Sequence, residues 1–161
     1  MKKLIVSTTL APLLVVALAG TTLAAPAKAE KKEFPFKGTL QSVETYVVTP
    51  PIMSVTANGS GNATHLGQYV ISYGVEVNLE TLLGVGSAQI VAANGDILYA
   101  NMSGQATPTG TTDVFSVVEE FTITGGTGRF ANASGSFTLN RAVNITTGVT
   151  SGGFDGNIVL P

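Results

Sequence analysis

Apolar and polar residues alternate with a period of two through most of this chain, and no helical period persists for three turns. Gly, Asn and Pro clusters interrupt the alternation roughly every 10 to 15 residues. We predict eight strands, at about 36–48, 52–58, 64–78, 82–92, 97–107, 113–124, 134–146 and 153–160. Short connections imply antiparallel neighbours, and eight strands is a size at which a meander closes into a small barrel. The sequence therefore predicts an all-β, eight-stranded antiparallel up-and-down barrel.

Two registers of the fourth and fifth strands are compatible with the Asn94-Gly95 turn. A two-residue loop would place Ala92 opposite Ile97, whereas a three-residue loop with Gly95 as a bulge places Ala92 opposite Asp96. We favour the second register because it puts five apolar residues on one face. These are Ala88, Ile90, Leu98, Ala100 and Met102.

Residues 1–29 are predicted to be a secretory signal peptide. Lys2 and Lys3 precede an apolar stretch whose uninterrupted core is 13–19, and small residues permit cleavage after Ala29 or after Ala24. The alternative is a membrane anchor, but Pro12 and neighbouring threonines interrupt the run of about 18 apolar residues that a span needs. We expect a secreted or periplasmic protein whose barrel domain covers 30–161 and has no stable membrane anchor after cleavage.

The charge balance of the predicted mature chain is acidic. The whole sequence has 8 Lys and Arg against 10 Asp and Glu, and removal of Lys2, Lys3 and Lys28 leaves a net charge of −5. This balance argues against nucleic acid as a partner. The absence of cysteine excludes disulfides and cysteine-ligated zinc, and nothing in the sequence indicates a cofactor or a metal site. The outer face is predicted to consist mainly of Thr, Ser, Asn and Gln.

The segment 123–130, with the letters ITGGTGRF, is the most distinctive motif. It lacks the Lys-Ser/Thr end of a phosphate-binding loop and is followed by a strand rather than a long helix. We interpret it as a turn between strands in which Gly125, Gly126 and Gly128 take positive φ. Phe130 is then expected to fold back as an apolar plug at one end of the barrel.

The same motif, continued by Ala133 and the 135–137 segment, resembles the turn of allene oxide cyclase-like and dirigent-like β-barrels. The segments 63–67, 93–96 and 104–108 extend the resemblance to small exported bacterial proteins of that barrel type, whose activity is not established. The resemblance implies a calycin-like eight-stranded barrel. The plant members act on apolar, oxygenated small molecules inside the barrel, but no catalytic residue can be transferred from them to this chain.

Several polar or aromatic residues lie on predicted inward positions and are candidates for binding a ligand. Glu119 and Arg141 would lie diagonally across neighbouring strands if Phe121 pairs with Phe137, close enough for an ion pair. Such a pair could fix the register alone, or it could orient a ligand. Tyr69 and Tyr73 share the inward face with His65, which has no partner residues for a metal site.

Three functions are compatible with this pattern. The leading hypothesis is binding of a small apolar, aromatic or phenolic ligand in the barrel interior. The second is an isomerase or cyclase that uses Glu119, Arg141 or Tyr73. The third is a surface or matrix protein that self-associates through its charge-poor exterior, so an oligomer is compatible with the sequence.

Overall fold

Eight antiparallel strands follow one another around a closed barrel, in which β1 also pairs with β8. The structure is a computed structural model that describes residues 31–161, and the predicted signal peptide lies outside this range. The strands are β1 (Lys32–Thr49), β2 (Ile52–Ala63), β3 (Gly67–Asn78), β4 (Leu83–Val91), β5 (Ile97–Pro108), β6 (Val114–Gly126), β7 (Ser134–Asn144) and β8 (Val149–Leu160). The predicted all-β, eight-stranded antiparallel barrel is confirmed.

The β2–β3 connection differs from the prediction. The segment 58–61 was expected to break the chain, but it lies inside β2 and pairs with β1 and β3. Gly59 has a packing role there, because a Cβ at this position would lie 2.4 Å from the Cβ of Ser42. A glycine inside a strand can mark a close approach rather than a turn. The turn instead occupies 64–66.

This shift changes the surroundings of His65, which is predicted to face inward from β3, and of Gly67, which has the same parity in the sequence. His65 lies in the turn with φ of 64° and is half-buried, while Gly67 is exposed. Leu66, which the alternation placed outside, is buried. The period-two rule fails here because a tight turn does not preserve the alternation of a strand.

The favoured register of β4 and β5 is confirmed. The amide of Ala92 donates to the carbonyl of Asp96 at 2.9 Å, and Gly95 has φ of 88°. Ile90 therefore pairs with Leu98, and all five residues assigned to the apolar face are buried.

The two ends of the barrel differ in how they are filled. The closed end carries the loops 64–66, 92–96 and 127–133, and the open end carries 50–51, 79–82, 109–113 and 145–148. Toward the closed end the interior is packed with aromatic rings. The rings of Phe121 and Phe137 stack with their centroids 4.6 Å apart. Burying a phenylalanine contributes about 1.5–3 kcal/mol. The void beside these rings has a volume of about 10 Å³, so the aromatic side chains fill this part of the barrel.

The outer face carries many Thr, Ser, Asn and Gln side chains, together with exposed valines on several strands. Val43, Val47 and Val85 are each more than half exposed. In residues 31–161, no helix is long and apolar enough to cross a membrane.

Candidate functional site in the open half of the barrel

A cavity of about 150 Å³ occupies the barrel interior toward the open end. Its walls are mostly apolar side chains of alternate strand residues, since every second residue of a barrel strand faces inward. They include Val55, Val75, Phe115, Val117 and Val143. Three charged side chains, Glu44, Glu119 and Arg141, also line the cavity. The site is thus an apolar pocket with one charged region.

Arg141 and Glu119 form the ion pair that the alternation predicted. Phe121 pairs with Phe137, which places Glu119 diagonally from Arg141 on the neighbouring strand. The Nε of Arg141 donates to Oε2 of Glu119 at 2.8 Å, and its Nη2 donates to Oε1 at 3.0 Å. Such a bidentate geometry is among the strongest that a guanidinium and a carboxylate can form.

Glu44 completes this group, and the sequence interpretation missed it. Nη1 of Arg141 donates to Oε1 of Glu44 at 2.5 Å and to Oγ1 of Thr150 at 3.2 Å. The available signal was parity in β1, because Glu44 has the same parity as the apolar Phe36 and Leu40. The acidic residue at an inward position of β1 was therefore detectable.

Two tyrosines bind the carboxylate of Glu44. The hydroxyl of Tyr73 donates to Oε1 at 2.7 Å, and that of Tyr46 donates to Oε2 at 2.9 Å. The Tyr73 hydroxyl also lies 2.9 Å from Oγ of Ser42. Tyr46, another residue that the sequence interpretation missed, lines the cavity. The charged group therefore continues into a network of neutral hydroxyls.

Burial and charge determine the protonation of this network. Burial raises the pKa of Tyr73 and of Tyr46 above the ordinary tyrosine value, and the charge of Glu44 raises both further. For Arg141, burial alone would lower the pKa, but the hydrogen bonds and charge of Glu119 and the charge of Glu44 outweigh it and raise the pKa. Both phenols are protonated donors at neutral pH, and the guanidinium is charged.

The charged side chains of this cluster are buried, but their polar atoms have hydrogen-bond partners. Glu44, Glu119 and Arg141 are 6%, 3% and 8% exposed. Removing such groups from water costs several kcal/mol per ion unless partners replace the water. Among residues 31–161, no buried side-chain nitrogen or oxygen lacks a hydrogen-bond partner. The partners come from β1, β3, β6, β7 and β8, so only the closed barrel assembles them.

Two other predicted site residues lie away from the cavity. Tyr69 is buried in the closed half, where its hydroxyl donates to the carbonyl of Thr39 at 2.7 Å. His65 lies at the closed end, with its ring 5.1 Å from that of Phe34. The structure therefore brings Glu119 and Arg141 together at the cavity, places Tyr73 behind Glu44, and separates His65 and Tyr69 from them.

The ITGGTGRF motif lies at the closed end. Gly125 and Gly128 have positive φ, as expected, whereas the same expectation for Gly126 is wrong. Phe130 is fully buried in the short 3₁₀ turn Gly128–Phe130. The backbone amide of Arg129 donates to Asp96 at 3.1 Å, and its guanidinium donates to the carbonyl of His65.

These contacts tie the three loops of the closed end together. The hydrogen bonds from the Arg129 amide and from Asn94 hold the pKa of Asp96 below its usual value. The motif therefore holds one end of the barrel shut, far from the cavity. No group of three or more His, Cys, Asp or Glu side chains in the described part of the chain could hold a metal ion.

Comparison with known proteins supports the architecture. No protein-family profile matches the chain, and no curated protein matches it in sequence. Among solved structures, the chain is similar to the pterocarpan synthase dirigent protein GePTS1. The TM-score is 0.55 at 16% sequence identity, and the match covers 89% of this chain and 99% of that one. The chain has a dirigent-like barrel fold, as the resemblance of its turn motif implied.

Proposed function

We propose that this protein is exported and that it binds a small, largely apolar ligand in the open half of its barrel. The observation that carries the proposal is the asymmetry of the interior. One half is filled by packed aromatic rings, while the other retains a cavity of about 150 Å³. Apolar walls with a few convergent polar groups are typical of small-molecule sites.

The size of the cavity narrows the range of ligands. An apolar cavity of about 150 Å³ can hold a molecule the size of benzene. A larger ligand would extend through the open end, where Leu79, Leu82 and Ile145 contribute apolar side chains. We therefore expect a single-ring aromatic or phenolic body in the cavity, with any longer substituent at the mouth.

A cavity-filling variant tests this proposal directly. Ala106 lines the cavity, whereas Ala142 is exposed on the outer face of β7. We expect Ala106→Leu to abolish binding of benzyl alcohol, measured by ligand-observed NMR, and Ala142→Leu to leave it intact. Circular dichroism of both variants checks that the barrel is retained. Equal binding by wild type and Ala106→Leu would place the ligand outside the cavity and contradict the proposal.

Export has a separate test. Expression of the full chain in a bacterium with a functional secretion pathway should yield a mature product outside the cytoplasm. Its N-terminal sequence should begin after Ala29 or after Ala24. A full-length product that stays in the cytoplasm would contradict export without affecting the binding proposal.

A second candidate function is an isomerase or cyclase. The observation that favours it is the hydrogen-bonded set of Tyr46, Glu44 and Arg141 at the cavity, because it places donors, acceptors and a fixed positive charge beside a bound molecule. It predicts that small epoxides or phenols incubated with the protein are converted to isomers detectable by mass spectrometry, and that Glu119→Gln slows the conversion. Quantitative recovery of bound ligand unchanged would exclude turnover of that panel.

A further inference from the structure

Among the described residues, the exposed charges around the open end of the barrel have one sign, whereas the closed-end half carries both, because Glu33 and Asp155 accompany its basic residues. In residues 31–161, the exposed basic side chains are Lys31, Lys32, Lys37 and Arg129, all in the closed-end half. Around the open end, the exposed charged residues are acidic: Glu76 near the end of β3, and Glu80 and Asp113 in the loops. A molecule entering the cavity therefore passes a negatively charged mouth.

The charged region of the cavity has the same sign. Two carboxyl groups, those of Glu44 and Glu119, share the single guanidinium of Arg141. With both carboxyl groups ionised, the three side chains carry a net charge of −1. Apolar walls of low dielectric constant concentrate the field of the charges inside a cleft. The mouth and the buried cluster therefore act in the same direction on a charged ligand.

The carboxylates also have unused acceptor capacity. Two carboxylates offer about eight lone-pair sites. Tyr46, Tyr73 and Arg141 supply five hydrogen bonds to them in the structure. An ammonium group brings three donors and no acceptor, so it matches what the cluster lacks. A carboxylate ligand brings only acceptors and meets two carboxylates.

We propose that the cavity accepts a small organic ammonium ion, an amine carried on a single apolar ring. The ring occupies the apolar walls, and the ammonium group faces Glu44 and Glu119, where it balances the charge that Arg141 leaves unpaired. Tyr46 and Phe115 add aromatic side chains to the same cavity, and ring faces attract cations. This inference rests on the proposed binding function and names the ligand class for that site.

A matched ligand series tests the inference on the wild-type protein. Benzylamine, benzyl alcohol and benzoate share one ring and are cationic, neutral and anionic at neutral pH. We expect calorimetry at low salt to show benzylamine binding about tenfold more tightly than benzyl alcohol, and benzoate binding most weakly. High salt should narrow the difference between amine and alcohol, because part of it comes from the exposed mouth.

The outcomes separate this inference from the binding proposal. If none of the three compounds binds, the proposed binding function fails, and the inference fails with it. If benzyl alcohol or benzoate binds as tightly as benzylamine, the cavity is a binding site, but the ammonium preference is wrong. A preference for benzylamine that Ala106→Leu does not abolish would place the amine on the acidic surface and would overturn the inference.

Two neighbouring glutamates provide a charge-matched control. Glu119 lies in the cavity, while Glu120, next in sequence, is exposed on the outer face, where it accepts a hydrogen bond from Thr138 at 2.6 Å. Glu119→Gln should remove the tenfold preference for benzylamine over benzyl alcohol, whereas Glu120→Gln should keep it. An unchanged preference in a folded Glu119→Gln protein would overturn the inference. If this variant does not fold, the ligand series on the wild-type protein decides alone.

Discussion

The guanidinium of Arg141 contacts the carboxylate of Glu44 across strand β8, which separates β7 from β1 around the barrel. The two residues are 97 positions apart, and Nη1 lies 2.5 Å from Oε1. Both side chains are buried. Because β1 and β8 are the first and last strands and pair only when the barrel closes, a contact between β7 and β1 across β8 depends on closure.

Removal of the guanidinium should destabilise the barrel strongly. Arg141→Met leaves the carboxyl groups of Glu44 and Glu119 buried without their cation, which typically costs about 3–5 kcal/mol. The control is Lys37→Met, because Lys37 pairs with Asp155 at 2.7 Å on the exposed surface and such pairs contribute about 1 kcal/mol or less. Urea unfolding at neutral pH measures both. Equal losses in the two variants would show that the buried cluster has no special role in stability.

The hydroxyl of Tyr73 should contribute to the free energy of unfolding of the barrel. Tyr73→Phe removes the bond to Glu44 and leaves Ser42 without its partner. Loss of a partner for buried polar groups costs about 1–3 kcal/mol. Tyr99 is partly exposed on the outer face, so Tyr99→Phe should change the free energy of unfolding by less than about 0.5 kcal/mol. A Tyr73→Phe protein as stable as wild type would contradict the hydrogen-bond network.

The buried tyrosines predict a loss of stability at alkaline pH. Burial raises the pKa of Tyr69 and Tyr73 above the ordinary value of 10.0. Above pH 10 the unfolded chain therefore releases these protons while the folded barrel retains them, and unfolding becomes more favourable. Each of the two tyrosines contributes up to about 1.4 kcal/mol per pH unit in this range.

Two measurements check this alkaline effect. Urea unfolding at successive pH values above 10 should show stability that falls as pH rises, with a shallower slope in Tyr69→Phe. Tyrosinate absorbance should appear at lower pH in urea-unfolded protein than in the folded barrel. Superimposable titration curves for the folded and unfolded protein would refute the prediction.

Two glycines with positive φ at the closed end allow the cost of backbone strain to be distinguished from the cost of a steric clash. A Cβ on Gly128 would lie 1.9 Å from Oδ1 of Asp96, whereas a Cβ on Gly95 would meet nothing within 4 Å. In both alanine variants a residue with a side chain must adopt positive φ, which costs roughly 1 kcal/mol relative to glycine. Gly128→Ala should lose more, because Asp96 must also move. Thermal unfolding compares them, and a Gly95→Ala protein that is equally or more destabilised would contradict the assigned contact.

The alternation of side chains predicted much of this architecture from sequence alone. It placed Phe121, Phe137, Glu119 and Arg141 on the inward face, and the structure supplies the Phe121–Phe137 pairing on which the predicted ion pair depended. The Asn94-Gly95 turn allowed two registers of β4 and β5, and the alternation of apolar residues chose the one that the structure has. These features were accessible because strand periodicity and turn type are local properties of the chain.

The glycines within strands were the main source of error. Gly59 looks like a turn residue in the sequence, and only the neighbouring strand shows why it must be small. The displaced turn then took His65 out of β3 and reversed the faces that the alternation gives to Leu66 and Gly67. A residue's local preference cannot reveal a contact with a strand that is distant in sequence.

The sequence by itself thus determined the strand count, the antiparallel order and the inward placement of Glu119 and Arg141, because each follows from period two and short connections. Only the tertiary structure decided that Glu44 joins this pair, that one half of the interior is filled while the other stays open, and that Glu76, Glu80 and Asp113 lie at the open end. Those features depend on how the eight strands meet around the closed barrel, where side chains from β1 and β7 come into contact. The alternation within either strand contains no information about this contact.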